Sequence, residues 1–381
     1  MNILFLPAWY PTTERPVHGT FIKDHAKAVS TYNDVVVVYC ETIARKDKYI
    51  SNKISDKIED GIRTIRIKHS DYYFGKLRQF IEIFHIFATI RMLTKNGWRP
   101  DIIHGHIFLS GFAAVIIGKI FKIPVVVSEH WSAFPLGTLK KLNEFEARFV
   151  LSRVSIILPV SKDLKNSIKS YGIKKRFKVI PNAINTDFFN PTSIPSRNKE
   201  KKRILTVALL KPVKGIDYLI RAVAKLIIER EDFVLDIVGD GPNRSEYEKL
   251  TQNEGLSRFI KFHGLKNKSE VAHFMAQCDF YVQVSLYETF GVTSIEAMSC
   301  GKPVLASDLP SMRDKINASR GILVPPRNVA ALAGALGVML DHYQEYSADE
   351  IAQYVQNDYS YEAVGLKFTK IYHEVLGRKL L

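Results

Sequence analysis

Two glutamates separated by seven residues have the clearest chemical potential in this sequence. Glu288 and Glu296 lie in residues 285–307, SLYETFGVTSIEAMSCGKPVLAS. Glu288 is expected in a loop, from which its carboxylate can reach a ligand. Glu296 is expected in the early turns of a following helix, where it can accept hydrogen bonds from hydroxyl groups. One peptide could therefore hold a sugar, a diphosphate and a ribose.

The elements that must position these carboxylates can be predicted from the same segment. A strand is expected to end near Gln283, and a helix to begin around Phe290 to Val292 and to run to Cys300, where a glycine and a proline stop it. The first N–H groups of a helix have no partner within it, and the helix dipole favours anions there. The N–H groups of residues 290–293 are thus a predicted cradle for a phosphate.

This segment resembles the E-x7-E signature of the retaining glycosyltransferases of family 4, which have the GT-B fold. The resemblance implies that Glu288 positions the donor sugar, that Glu296 binds the ribose, and that the helix start binds the donor. The donor-binding residues implied at the helix start are Thr289, Phe290, Gly291 and Val292. The structural alternative is a helix with a surface glutamate at each end. The other matching residues are Ala297, Met298, Gly301, Pro303 and Val304.

A lysine segment, VALLKPVKGIDYL from Val207, also resembles that family and carries Lys214 and Gly215. The resemblance implies that Lys214 meets the departing diphosphate. An ammonium group and a helix N-terminus can neutralise that charge without a metal, and the sequence has no Asp-x-Asp pair, so we expect no metal and no resident cofactor. The family's usual arginine is Leu209 here. Either Lys211 or another basic residue substitutes for it, or turnover is weakened.

Two further glycine- or proline-containing segments match the family. VGDGP, residues 238–242, resembles the loop that lines the nucleotide pocket, which makes Gly239 a donor-binding candidate. A dinucleotide fingerprint would need a third glycine where Arg244 stands, so an NAD site is disfavoured. PNAINTDFF, residues 181–189, resembles a structural turn at the end of the family's first domain.

Candidate residues of the first half follow predicted strands. His106 ends DIIHGH, while Glu129 and His130 end VVVSEH, and loops after strand carboxyl ends face the ligand crevice of open α/β sheets. The resemblance implies that His106 lies near the donor sugar and the acceptor, and His130 has the same standing. The alternative is an ordinary histidine that caps a strand. Gly19 stands where relatives carry a double glycine that opens toward the donor phosphates, and Thr20 replaces the second glycine.

The chain organisation indicates two doubly wound α/β domains. Its 381 residues are about right for two domains, and continuous apolar runs alternate with helix-length segments, as a parallel sheet covered on both faces requires. The first predicted strands are Ile3–Leu6, Val35–Tyr39, Ile102–His104, Val125–Ser128, Ile156–Val160 and Lys178–Ile180. The second series is Arg203–Val207, Val234–Val238, Ile260–His263, Phe280–Gln283, Val304–Ala306 and Ile322–Val324.

The predicted domain boundaries follow from this pattern and from the resemblance. Residues 1–190 form a Rossmann-like acceptor-binding domain, and residues 203–358 form a Rossmann-like nucleotide-sugar domain across an interdomain cleft. Residues 190–202, rich in proline and charge, are the candidate linker. The resemblance implies that a helix in residues 359–381 crosses back to the first domain.

Composition excludes several classes of protein. With 46% hydrophobic and 24% charged residues, the chain is neither disordered, collagen-like nor a disulfide scaffold. Three scattered cysteines suit a reducing cytosol without a structural metal. No uninterrupted apolar run of 18 residues occurs, and the N-terminus lacks the features of a signal peptide, so no membrane span or secretion is predicted.

The positive charge is concentrated in the first half of the chain. Residues 1–190 hold 29 basic and 16 acidic residues, against 25 and 23 in residues 191–381. This asymmetry favours an anionic partner, such as nucleic acid, a lipid surface or a phosphorylated substrate, and no nucleic-acid motif accompanies the charge. The alternative is that the charge consists of solvated surface lysines. A predicted helix over residues 77–93 has apolar residues between basic ends, which favours either a membrane surface or ordinary packing on a sheet.

Together these features predict a retaining glycosyltransferase that moves a sugar from a UDP- or GDP-sugar to a saccharide or lipid-linked acceptor. Bacterial cell-surface polysaccharide or glycolipid synthesis, at the cytoplasmic face of the membrane, is the expected setting, with no nucleic-acid partner. Two alternatives stay open. One is a retaining hydrolase that uses Glu288 and Glu296 as its carboxylate pair, and the other is a nucleotide- or polyanion-binding protein with a degraded active site.

Overall fold

A computed structural model describes residues 1–43, 53–70, 76–191 and 201–379. The chain divides into two compact units, one formed by Met1–Ala183 with Tyr361–Leu381 and the other by Ile184–Ser360. The sequence placed the boundary at residue 190. The difference arises because the backbone N–H of Ile184 donates a hydrogen bond to the Tyr359 carbonyl at 2.7 Å, which attaches the residues after Ala183 to the second unit.

The sheet of the first unit is mostly parallel. Among the described residues its seven strands are β1 (Asn2–Pro7), β2 (Asp34–Ile43), β3 (Lys53–Glu59), β4 (Ile62–Ser70), β5 (Ile102–His106), β6 (Val125–Glu129) and β7 (Ile156–Pro159). Their order is β3-β4-β2-β1-β5-β6-β7, with only β3 antiparallel to its neighbour. Strands β5, β6 and β7 are buried along their whole length, which is why they read as continuous apolar runs.

One strand prediction for this unit was wrong, and one hairpin was missed. Residues 178–180 run beside β7 through backbone hydrogen bonds, such as that from Lys178 N–H to the Ile157 carbonyl at 3.0 Å, but they form no regular strand. The β3–β4 hairpin was not predicted at all. Its turn is Asp60–Gly61, with φ values of 49° and 79°, and an Asp-Gly pair between alternating residues was the available signal.

The helices of the first unit are α1 (Thr20–Ser30), α2 (Lys76–Lys95), α3 (Phe108–Phe121), α4 (Lys141–Leu151), α5 (Lys162–Ser170) and the last helix of the chain, α13 (Tyr361–Val375). Helix α13 packs closely on α1. A Cβ atom on Gly365 would lie 2.0 Å from the Ala28 carbonyl oxygen, so glycine permits the close approach. The Asn33 amide also donates to the Thr369 hydroxyl at 2.7 Å. The C-terminal helix is therefore a component of the first unit.

The second unit has an entirely parallel sheet. Its strands among the described residues are β8 (Lys202–Val207), β9 (Phe233–Val238), β10 (Ile260–Phe262), β11 (Phe280–Gln283), β12 (Val304–Ser307) and β13 (Gly321–Val324), in the order β10-β9-β8-β11-β12-β13. All six match predicted runs. The helices are α6 (Ile216–Leu226), α7 (Arg244–Asn253), α8 (Lys268–Gln277), α9 (Val292–Ser299), α10 (Pro310–Arg313), α11 (Val329–His342) and α12 (Ala348–Tyr359).

Each sheet has a point where the chain reverses its direction of winding. In the first unit this point lies between β1 and β5, and in the second between β8 and β11. Ligands of open α/β sheets bind beyond the carboxyl ends of the strands at such a point. No helix in the described part of the chain has the length and apolar character needed to cross a membrane.

Candidate functional site

The loops that follow β8 and β11 are joined through their backbones. The N–H of Leu286 donates to the Val213 carbonyl at 2.8 Å. Gly215, with φ 67°, ends a short 3₁₀ turn, and a Cβ atom there would lie 2.3 Å from the Val284 carbonyl oxygen. Only glycine allows this contact. The two loops therefore present their side chains at one place, the reversal point of the second sheet.

Lys214 and Glu288 meet there as an ion pair between Nζ and Oε1. The Ser285 hydroxyl donates a second hydrogen bond to Glu288 Oε1 at 2.8 Å. The side chains are 26% and 13% exposed, respectively, so both can be reached by a ligand. An anion that binds the Lys214 ammonium group must compete with the Glu288 carboxylate, a relation that the sequence did not reveal.

Helix α9 begins directly beside this pair. Its N-cap is Gly291, with φ 82°, and a Cβ atom there would lie 2.8 Å from the Met312 sulfur. Gln283, at the end of β11, accepts hydrogen bonds through Oε1 from the hydroxyls of Ser294 and Thr293. The N-cap has no side chain that could cap the helix, so the first N–H groups are left for a ligand. The predicted helix start is confirmed.

The two glutamates of this segment lie at the same end of the second sheet. Glu296 is half-buried in α9. Burial raises the pKa of Tyr281, and the Glu296 and Glu288 carboxylates add to that rise. The Tyr281 hydroxyl donates to the Val207 carbonyl at 3.1 Å, which places the phenol at the end of β8. Both carboxylates therefore act on one buried group at the carboxyl ends of β8 and β11.

Three other predicted donor-binding residues lie around the start of α9. Thr289 and Val292 are partly exposed, whereas Phe290 is buried. The ammonium group of Lys315 lies 4.4 Å from the centre of the Phe290 ring. Sequence reasoning missed Lys315, because a lysine after MRD reads as a surface residue unless its burial is known.

Gly239 lies behind the lysine loop. Its φ is 132°, and a Cβ atom would lie 1.9 Å from the Ala208 carbonyl oxygen. The Leu210 N–H donates to the Asp240 carbonyl at 2.9 Å, so the two loops are in direct backbone contact. Leu209 and Lys211 are both exposed on the lysine loop. The need for glycine at residue 239 is thus explained by the contact with Ala208.

Gly19 lies at the corresponding end of the first sheet. It is the N-cap of α1 with φ 77°, and a Cβ atom there would lie 2.5 Å from the Trp9 carbonyl group. The Ala8 N–H donates to the carbonyl of His106 at 3.2 Å, which joins the loops after β1 and β5. The structure therefore brings Gly19 and His106 to the reversal point of their own sheet.

His106 and His130 belong to a buried group of histidines. His106 stacks on His104 with ring centres 4.2 Å apart and on His130 at 5.7 Å. His25 from α1 lies 5.2 Å from the His130 ring. Burial lowers the pKa of all four side chains, that of His25 to about 4. The four imidazoles are therefore neutral at pH 7. Sequence reasoning did not include His25 or His104.

Three of these rings are the candidate metal ligands in the described ranges of the chain. His25, His106 and His130 each offer a ring nitrogen within 4.8 Å of the others. Neutral imidazole is a good ligand for transition metals. Within the described residues, His106 Nε2 and His25 Nδ1 have no hydrogen-bond partner. His104 is occupied differently, since its nitrogens contact the Tyr372 hydroxyl at 2.7 Å and the Ser128 hydroxyl at 2.8 Å.

Glu129 fixes the loops that carry these histidines. Its buried carboxylate accepts hydrogen bonds from the N–H groups of Phe108, His130 and Trp131 at 2.9 to 3.0 Å. Burial raises the pKa of Glu129 to about 7, although the three N–H groups oppose this shift. The carboxylate thereby connects the end of β6 to the start of α3.

Two sequence families match the chain. The family described as "Glycosyltransferase Family 4" matches residues 19–188, and the one described as "Glycosyl transferases group 1" matches residues 191–357. An uncharacterized glycosyltransferase of Methanocaldococcus jannaschii is 28% identical over 303 residues, covering 73% of this chain and 77% of that protein. An alpha-monoglucosyldiacylglycerol synthase of Streptococcus pneumoniae is 24% identical, covering 70% of this chain and 64% of that protein.

The solved structures that are similar have the same fold. The Anabaena protein HepE, in complex with UDP and glucose, superposes with a TM-score of 0.76 at 19% identity, covering 98% of this chain and 100% of that chain. At this identity the likeness establishes the fold, which is GT-B.

Proposed function

Because this chain belongs to the family 4 (group 1) glycosyltransferases and is a transferase, we propose that it moves a sugar from a nucleotide-diphosphate sugar to an acceptor hydroxyl with retention of configuration. One observation supports this proposal most directly. The Lys214–Glu288 pair lies beside the uncapped start of α9, at the reversal point of the second sheet. A cation and free N–H groups suit a diphosphate, and a carboxylate suits sugar hydroxyls.

In the proposed reaction the donor diphosphate occupies the start of α9 and draws Lys214 away from Glu288. The bond between the anomeric carbon and the phosphate oxygen breaks, and the acceptor oxygen bonds to the same face of that carbon. The proton of the acceptor hydroxyl passes to the departing phosphate oxygen. Lys214 and the helix N-terminus stabilise the charge on that oxygen, so the step needs neither a metal ion nor a resident cofactor.

The remaining residues receive positioning roles in this proposal. Glu288 orients the donor sugar and Glu296 the ribose, while Thr289, Phe290, Gly291 and Val292 shape the start of α9. Gly239 supports the lysine loop. The acceptor belongs to the first unit, where Gly19, His106 and His130 lie. His106 Nε2, which is unpartnered within the described ranges, is the group proposed to meet the acceptor.

A thermal-shift screen of the whole protein against UDP-, GDP-, ADP- and dTDP-sugars tests the donor class. A donor at about 100 times its Kd stabilises the folded state by about 2.7 kcal/mol, which corresponds to a rise in Tm of several degrees. We expect one nucleotide class, UDP or GDP, to give this rise and Lys214→Met to reduce it. The exposed Lys225→Met on α6 is the control. A Tm that no nucleotide sugar changes would contradict the proposed donor.

The acceptor is proposed to be a saccharide or a lipid-linked saccharide of a bacterial cell surface, reached from the cytoplasmic side of the membrane. Two features of the first unit support a membrane location. Its helices α2 and α4 both pack against α3, and they are joined by a hydrogen bond of 3.0 Å from Gln79 to Glu146. On them an apolar patch is 64% to 69% exposed, and consists of Phe80, Phe84, Leu142 and Phe145.

Exposed basic side chains are carried by the same two helices. Arg91 and Lys95 on α2, and Lys140, Lys141 and Arg148 at α4, are all exposed. Each basic residue near an anionic surface contributes about 1 kcal/mol, and each inserted aromatic ring adds about 1.5 to 3 kcal/mol. The patch therefore has the chemistry of a peripheral membrane surface.

Vesicle sedimentation tests this location. We expect the protein to bind vesicles of phosphatidylglycerol more tightly than vesicles of phosphatidylcholine, with binding that weakens as salt rises. Phe84→Glu with Phe145→Glu should lower the binding at least tenfold. Ile228→Glu, in the second unit, is the matched control because Ile228 is 84% exposed. Absent or salt-independent binding would remove the membrane from the proposal.

A further inference from the structure

Lys315 is a buried cation without a full set of partners. The residue is 4% exposed. Its ammonium group donates to the Ser311 carbonyl and lies 4.4 Å from the centre of the Phe290 ring, and the described residues supply no further hydrogen-bond acceptor. Burial lowers the pKa of Lys315 to about 8, with Asp314 and Glu288 opposing the shift. The side chain is therefore still mostly charged at pH 7.

A second polar group in the same turn is also unsatisfied. The Ser311 hydroxyl oxygen is buried and has no hydrogen-bond partner in the described ranges of the chain. Buried polar groups are normally paired, and an unpaired buried charge is more costly still. Two such groups in one segment indicate that an anionic ligand completes their interactions.

The position of this segment identifies which ligand that is. Met312 contacts the N-cap of α9, since its sulfur would lie 2.8 Å from a Cβ on Gly291. The Lys315 N–H donates to the Met312 carbonyl at 2.9 Å. Phe290, over which the ammonium group lies, directly precedes Gly291. Lys315 thus lies at the start of α9, close enough to Glu288 for that carboxylate to affect its pKa.

We propose that Lys315 is a second cation of the diphosphate site, which binds a donor phosphate oxygen at the start of α9 together with Lys214. This inference rests on the proposed function, because it requires a nucleoside diphosphate at the start of α9. On binding, the ammonium group exchanges its contact with the Phe290 ring for a charge-assisted hydrogen bond, which is the stronger interaction. Glu288, released from Lys214, is then free to contact the sugar.

Calorimetric titration of the full chain with UDP, GDP and their monophosphates tests this assignment. Lys315→Met keeps the length and apolar character of the side chain but removes its charge. We expect its affinity for the preferred diphosphate to be about tenfold to a hundredfold weaker, with a smaller loss for the monophosphate. The Tm of this variant without ligand should be equal or higher, because an unpaired buried charge is removed. Lys315→Arg should retain part of the affinity.

Lys302→Met, which lies just beyond the C-terminal end of α9, is the matched control and should bind as the unsubstituted protein does. Equal diphosphate affinity in Lys315→Met and the unsubstituted protein would overturn the role of Lys315 alone. If the unsubstituted protein binds neither diphosphate, the proposed donor class fails, and the role of Lys315 with it. If Lys315→Met does not fold, a crystal structure with the bound diphosphate decides. Nζ within about 3.5 Å of a phosphate oxygen supports the role, and a longer separation rejects it.

Discussion

Glu288→Gln is expected to lower kcat for sugar transfer by about a hundredfold to a thousandfold, comparable to the removal of a positioned polar group from a reaction centre. The substitution keeps the size of the side chain and an oxygen that can accept the hydrogen bond from Ser285. It removes the negative charge that holds Lys214. The donor sugar then lacks its carboxylate, while the ammonium group is released.

The release of Lys214 leads to a second expectation, which concerns nucleotide affinity and has the opposite sign to the loss of kcat. Since Glu288 competes with a diphosphate for the ammonium group, the affinity of Glu288→Gln for UDP or GDP should be unchanged or several-fold higher. Lys214→Met should instead lose both affinity and transfer. Initial rates and calorimetric titrations of the same preparations measure the two effects. Glu229→Gln, at an exposed carboxylate just beyond the C-terminal end of α6, is the control. Unaltered transfer in Glu288→Gln would contradict the assigned role.

The Lys214–Glu288 pair shows what sequence could predict about the site. Glu288 and Lys214 could be proposed from sequence because the segments that carry them resemble family motifs, each with a strand followed by a loop and a helix. Their ion pair was not found, because it joins residues 74 positions apart and depends on β8 lying next to β11. Which strands lie next to each other is a property of the tertiary structure, and a local sequence pattern does not predict it.

Burial is the second property that sequence did not supply. Lys315 and His25 have no distinctive neighbours, and each acquires its chemistry from elements packed around it. The six strands of the second sheet were predictable because burial on both faces requires continuous apolar residues. The hairpin at Asp60–Gly61 was missed because its strands alternate in polarity and are half exposed. Elements whose burial produces a local apolar pattern were therefore predicted accurately, and residues whose burial depends on distant elements were not.

The buried histidines lead to the second large expected effect, a steep loss of stability of the first unit in mild acid. His25, His104, His106 and His130 are neutral in the folded state because burial lowers their pKa values. In the unfolded chain each regains a pKa near 6.5 and binds a proton. The contribution of these histidines therefore leaves the free energy of unfolding at its maximum above pH 6.5. Below pH 6.5 the free energy of unfolding falls progressively as the pH drops toward 4.

Glu129 has the opposite effect on the pH dependence of stability, but it is one group against four histidines. The pKa of Glu129 is about 7 in the folded state, whereas the unfolded chain releases this proton above about pH 4.5. Between these two pH values the folded protein therefore holds a proton that the unfolded chain does not. This carboxyl group alone would make the free energy of unfolding fall as the pH rises. Near pH 5.5 the four histidines take up protons on unfolding, whereas Glu129 alone releases one. The net uptake of protons predicts that the free energy of unfolding rises with pH in this range.

Urea unfolding followed by tryptophan fluorescence can measure this slope in the first unit alone, because all three tryptophans, Trp9, Trp98 and Trp131, lie within it. Between pH 5 and 6.5 we expect the free energy of unfolding to rise steeply with pH. His25→Gln should reduce the slope by about 1.4 kcal/mol per pH unit, the value for one proton. The exposed His273→Gln of the second unit should leave it unchanged. A flat profile would show that the histidines titrate in the folded state at nearly the same pKa values as in the unfolded chain. The four imidazoles would then become protonated below about pH 6.5 in the folded state as well, which would contradict the effect of burial that is argued for them.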